Sequence, residues 1–135
     1  PDGARLAVGT DDGRVLLLEP GGARPWERRQ GGQVKWLAFS PDGARLHAAG
    51  HATPIQAYDA ATGAPGAALG GSDQDTWGLL ATADRLYATV GQTPTANAAA
   101  QVLVLDPRTL EAVEVLPAPE VEKVVLARPG ELLGV

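Results

Sequence analysis

Asp73 and Asp75 stand two apart in the run "GGSDQDTW", with Gln74 between them and Trp77 close behind. Two carboxylates at that spacing can do acid–base work or hold a cation. Aspartates in such a run also make loop turns, by accepting hydrogen bonds from nearby backbone. Metal centres draw on several convergent His, Cys or carboxylate ligands at recognisable spacing, and two isolated histidines do not supply that set. His51 therefore reads as a loop histidine and His47 as a strand residue. Asp11-Asp12-Gly13 lacks the oxygen ligands at alternate positions that a calcium loop needs and reads as a hairpin turn. Trp36 and Trp77 offer large amphipathic contact area of the kind enriched in binding hot spots. The alternative is that they fill space in a core with few other large side chains. No Gly-x-Ser-x-Gly elbow, Walker loop or dinucleotide fingerprint occurs, so no catalytic residue, metal or cofactor is assigned.

Composition narrows the setting. The chain has 135 residues, within the range of one domain, and a formal net charge of −5 with no basic block. A phosphate-tracking surface needs clustered Lys and Arg, so nucleic acid is not an expected partner. No stretch approaches the roughly 20 apolar residues that span a bilayer, and no charged-then-apolar leader precedes the first segment. There is no Cys, which removes disulfides and thiolate sites without fixing the compartment, cytoplasmic or periplasmic and secreted alike. The first residue is Pro, so the chain is expected to be part of something longer. Usage rich in Ala, Arg, Leu and Pro suits a GC-rich bacterial genome. Seventeen Gly and eleven Pro suit many short strands better than a few long helices.

The elements that must position these residues repeat. "PDGARLAVG" (1–9) returns as "PDGARLHAAG" (41–50), and Arg-Leu recurs at 5, 45 and 85, two intervals of forty. A degraded copy, "ARPGELLGV", begins at Ala127, delayed by the longer loop "QTPTANAAAQ" at 92–101. That loop is either a rim element that contacts a partner or a tolerated insertion. Each unit divides into four strand-like segments separated by turn residues. The first is "WLAFS" (36–40), "WGLLA" (77–81) and "KVVLA" (123–127), which aligns Trp36 with Trp77 and with Lys123. Ser40-Pro41-Asp42-Gly43 follows as a tight turn. The second segment begins at each Arg-Leu and closes on Gly. The third ends on a carboxylate, Glu19, Asp59 or Asp106. The fourth is weakest, as an outer strand would be, with Pro suited to an edge.

If the second and third segments form a hairpin, Arg5 faces Glu19, Arg45 faces Asp59 and Arg85 faces Asp106, opposite charges in all three units. Such surface pairs are worth about 0.2–1 kcal/mol each and help to set register; the alternative is solvated strand-end charges that never meet. Four short strands at a period near forty are the mark of propeller blades.

"FSPDGARL", "YDAATG" and "LDPRTLEAVEVL" resemble the WD40-like and YVTN-type β-propeller repeat families, across nearly the whole chain. The strict WD40 pattern is not met, since Gly-His before the first strand and Trp-Asp after the third are missing. The resemblance implies an all-β chain of four-stranded antiparallel blades: a partial blade at 1–33, blades at 34–73 and 74–118, and the start of another at 119–135. That count is too small to close a ring, so the remaining blades are expected from a longer parent chain or from other copies. It also implies that the loops entering the innermost strand and those between second and third strands share one face, carrying Trp36, Trp77, Asp75, Gln74 and His51. A binding scaffold for a protein or small-molecule ligand on that face is the first expectation. Part of a propeller enzyme, of lactone-hydrolase or quinoprotein type, with its catalytic groups mostly on other blades, is the second.

Overall fold

The structure, a computed structural model, describes residues 5–71, 74–92, 101–117, 124–128 and 131–134. All of its regular elements are strands, paired antiparallel. The first group is β1 (Leu6–Gly9), β2 (Arg14–Leu18) and β3 (Trp26–Arg29), in that order across the sheet. A complete blade follows: β4 (Gln33–Phe39), β5 (Arg45–His51), β6 (Ile55–Asp59) and β7 (Pro65–Leu69). A second complete blade is β8 (Gln74–Ala81), β9 (Leu86–Gln92), β10 (Gln101–Leu105) and β11 (Ala112–Pro117). The pair β12 (Val124–Arg128) and β13 (Glu131–Gly134) begins another. The four-segment repeat is thus met strand for strand, and these are β-propeller blades.

The apolar residues explain why blades need neighbours. One buried cluster joins Val15, Leu17 and Trp26 of the first group to Val34, Leu46, Ala48 and Tyr58 of the next blade. A second joins Ala49 and Ile55 to Leu86, Ala88, Val90, Leu105 and Leu110 of the blade after. β5 therefore sends alternate side chains to opposite neighbours and is buried on both faces from Leu46 to Gly50. A strand covered on both sides loses the apolar–polar alternation of a half-exposed one, which is why "RLHAAG" has none.

Turn chemistry fixes the registers. Gly43 closes the Ser40–Gly43 turn by donating to the Ser40 carbonyl at 2.8 Å, and Asp42 accepts from the Ser40 hydroxyl and from the Ala44 N–H. Gly13 closes the Thr10–Gly13 hairpin turn on the Thr10 carbonyl, as expected of Asp11-Asp12-Gly13. Arg45 stands opposite Asp59, and Gly9 opposite Val15, in the expected hairpin register. The facing charges, however, are not ion-paired among the described residues. Asp59 instead accepts from the N–H groups of Ala61 and Thr62, and Asp106 from those of Arg108 and Thr109. The carboxylate that ends the third strand caps its own turn, a nearer and fixed partner than a flexible guanidinium.

The alignment of Trp36 with Trp77 is corrected by the pairing. Trp36 lies opposite Ala49, but it is Gly78 that lies opposite Thr89, the residue equivalent to Ala49. Trp77 occupies the bulge position matched by Lys35, since the registers skip between Val34 and Trp36 and between Thr76 and Gly78. Six residues (40–45) join the paired Phe39 and Leu46, whereas four (82–85) join Ala81 and Leu86. The shorter turn shifts the strand before it. The innermost strands also begin three residues earlier than expected, at Gln33 and Gln74.

Candidate functional site

The five residues singled out in sequence gather at one end of the seam between the two complete blades. His51 is the last residue of β5 rather than part of a loop, exposed, and paired on one side with Gln33 and on the other with Asp75. That pairing joins β5 to β8 and makes one continuous sheet of the two blades. The Asp75 Oδ1 accepts the Ala52 N–H at 2.9 Å, and Ala52 has a left-handed φ of 55°. Asp75 thus holds the β5–β6 loop of one blade against the first strand of the next. Gln74, its neighbour on β8, lies opposite Gln92. Asp73, Lys123 and the stretch 93–100 fall outside the described residues.

The two tryptophans divide the work. Trp36 reaches across the seam, its indole N–H donating to the Thr76 carbonyl at 2.8 Å. Trp77 stays with its own blade: its ring lies over Gly91, where an added Cβ would come 2.8 Å from Cη2. Both rings remain half-buried, so they serve packing and still show surface. The preceding seam is built alike. Val34 donates to the Thr10 carbonyl at 3.0 Å, and Lys35 Nζ meets Asp11 at 2.7 Å.

Several structural donors escaped the sequence reading. Trp26 Nε1 donates to the Ala60 carbonyl at 3.0 Å, Arg28 reaches the carbonyls of Gly63 and Thr62, and Arg5 reaches that of Gly43. Each runs from the first group of strands into a turn of the following blade. His47 repeats the pattern one blade on, its Nε2 lying 2.9 Å from the Pro107 carbonyl. That nitrogen therefore carries the proton, and the buried Nδ1 has no partner. Burial holds the ring below the ordinary histidine pKa, helped by the charge of Arg45 and opposed by the Pro107 contact. Gln30 is a further hub, donating to Thr53 and to the Pro54 carbonyl while accepting the Tyr58 hydroxyl at 2.9 Å. Burial pushes Tyr58 up to about 12. The only sequence signal was a Trp in an otherwise weak fourth strand.

Among the described residues no three His, Cys, Asp or Glu side chains converge in a metal-holding arrangement, and no helix is long and apolar enough to cross a membrane. What the seam offers is an aromatic and polar rim on a braced backbone.

No family model matches the chain. A stretch of 48 residues, 34% of this chain, is 48% identical to Tricorn protease homolog 1 of Streptomyces coelicolor and covers 4% of that protein. Among solved structures, the RRP9 WD40 repeats and U3-55K each match with a TM-score of 0.76 and 18% identity, over 92% of this chain and 39% of theirs. A europium-containing methanol dehydrogenase matches with a TM-score of 0.69 and 17% identity, over 84% of this chain and 23% of its own. The chain spans well under half the length of each. At these identities the structural likeness is one of fold, and the fold is that of WD40-like β-propeller blades forming part of a ring.

Proposed function

We propose that these blades act as a binding scaffold, with partner contacts on the seam face formed by Trp36, Gln74, Asp75, Trp77 and His51. One observation carries the reading: the strand pairing sets His51 beside Asp75, on backbone fixed by the Ala52 to Asp75 hydrogen bond, on the strand β8 that also carries the partly exposed Trp77 and accepts the Trp36 indole N–H. Interface hot spots favour such rigid aromatic groups beside polar ones. The likeness of fold to WD40 repeats supports a protein partner in preference to a small ligand. The blade limits are proposed as 1–33, 34–73, 74–118 and 119–135, with the first drawn back by one residue because β4 already begins at Gln33.

The test is peptide display against the full-length protein, followed by affinity measurement on His51→Ala and Trp77→Phe variants. Selected peptides should lose at least about tenfold in affinity on one of these changes, the scale of one hot-spot residue. Peptides indifferent to both would refute this face as the contact surface. A second reading, in which the blades belong to a propeller enzyme, draws on the dehydrogenase match; it would require catalytic groups on other blades.

A further inference from the structure

The two seams satisfy the same carbonyl with different side chains. Their turns are equivalent: Asp59 caps Ala61 and Thr62, and Asp106 caps Arg108 and Thr109, so Ala60 corresponds to Pro107 and Gly63 to Leu110. At the first seam Trp26, on a fourth strand, donates to the Ala60 carbonyl at 3.0 Å, and its ring lies so close over Gly63 that an added Cβ would stand 2.5 Å from Cδ2. At the second seam the fourth strand β7 carries Pro, Gly, Ala and Leu and has no ring N–H to offer. The donor there is His47 of the second strand, where the first group has Ala7, and its Nε2 lies 2.9 Å from the Pro107 carbonyl. Leu110, 1% exposed, supplies the bulk that Gly63 leaves to the indole.

This exchange replaces a donor that does not titrate with one that does. His47 is fully buried, and its Nδ1 has no hydrogen-bond partner. A proton added at Nδ1 would leave a buried cation with one hydrogen bond, a costly state. The surroundings hold no free carboxylate to meet it. On its own strand stands Arg45; β4 presents Ala38 opposite, between Leu37 and Phe39; β6 presents Ala57 opposite, with Tyr58 and Asp59 beyond. The facing turn brings Asp106, Arg108 and Glu111, and Arg85 before β9 acts on Asp106. Asp59 and Asp106 are held by the amides of their own turns, and His47 joins none of the ion pairs among the described residues. The two blades share one described ladder pair, His51 with Asp75, so the joint relies on its side-chain contacts.

We propose that the seam between the two complete blades is an acid-sensitive joint, in which protonation of His47 frees the 106–110 turn from β5 while the seam stitched by Trp26 stays closed. Burial outweighs the Pro107 and Ala38 backbone contacts that favour the charged ring, and the charge of Arg45 adds to it, so the closed seam holds His47 below its ordinary value. Once opened, the ring titrates at about 6.5. Below that pH the open form binds a proton that the closed form refuses, and opening is favoured by up to about tenfold per pH unit. The joint works whether or not the seam face binds a partner.

The experiment is amide hydrogen exchange by NMR on the full-length protein, compared as protection factors so that the intrinsic pH dependence of exchange divides out. The matched reporters are the Leu110 N–H, held by the Asp106 carbonyl at 2.8 Å, and the Gly63 N–H, held by the Asp59 carbonyl at 2.7 Å. From pH 7.5 to 5, protection at Leu110 should fall at least about fivefold further than at Gly63. His47→Gln keeps an N–H for Pro107 and removes the titration, so the difference should vanish. An equal fall at both turns, no fall at Leu110, or a fall that persists in His47→Gln would each overturn the proposal. Should His47→Gln not fold, the comparison of the two turns in the unaltered protein decides.

Discussion

His47 is the residue on which solution conditions should act most directly. It is fully buried, its Nε2 proton is committed to Pro107, and its folded pKa lies below the ordinary value near 6.5 because burial disfavours the charged ring. The unfolded chain therefore binds the extra proton first as pH falls. This contribution to stability is complete above pH ~6.5 and declines below it, at no more than about 1.4 kcal/mol per pH unit. Urea unfolding between pH 7.5 and 5 should show that slope, and His47→Gln should flatten it. Ala52 offers the opposite case, since its φ of 55° is costly for any residue with a Cβ. Ala52→Gly should raise stability by about 0.5–1 kcal/mol in the same assay, relief of left-handed strain exceeding the entropy that glycine adds to the unfolded chain. Leu110, also left-handed at φ 58°, stands where the preceding blade has Gly63. There glycine should destabilise, because Leu110 is 1% exposed within the second core cluster and its lost packing, about 2–4 kcal/mol, outweighs the strain.

At the scale of elements, the seams depend on how closely backbones approach. A Cβ at Gly32 would stand 2.3 Å from the Ala52 carbonyl oxygen, and one at Gly50 would stand 1.8 Å from that of Gln33. Neither neighbour is a side chain that can swing away, so Gly50→Ala should cost more than about 2 kcal/mol by thermal unfolding, with Gly32→Ala following. Trp26→Phe tests the stitch to Ala60: it keeps most of the ring area and removes the donor, at about 1–3 kcal/mol for the orphaned carbonyl and lost bond. The Arg-Leu and turn motifs made the four-strand unit and the β5–β6 register legible, because tight turns leave few registers open. The offset of Trp36 from Trp77 was not legible. Both strands carry the same bulge, so the turn shorter by two residues moves the true match of Trp36 to Gly78, one place past the Trp77 that residue type suggests, and only the pairing shows it. The fates of Asp59 and Asp106 were hidden because opposite charges face each other in the ladder, yet turn amides two and three residues away are nearer.

For the whole molecule, the two core clusters lie between blades rather than inside them. Each blade is therefore stable only as part of a stack. Leu46→Ala, at a fully buried position of the first cluster, should cost about 2–5 kcal/mol, and hydrogen exchange should quicken in β2 as well as β5; loss of protection in β5 alone would contradict this coupling. The stitches that run from Trp26, Arg5, Arg28, Trp36 and His47 all point the same way round, from ring or guanidinium N–H to a carbonyl of the succeeding blade. A blade so built has a plug on one flank and a socket on the other. Tandem duplication of such a unit copies both halves at once, so the array can lengthen by whole units without inventing a new joint, while a unit lacking either half leaves its neighbour's half empty.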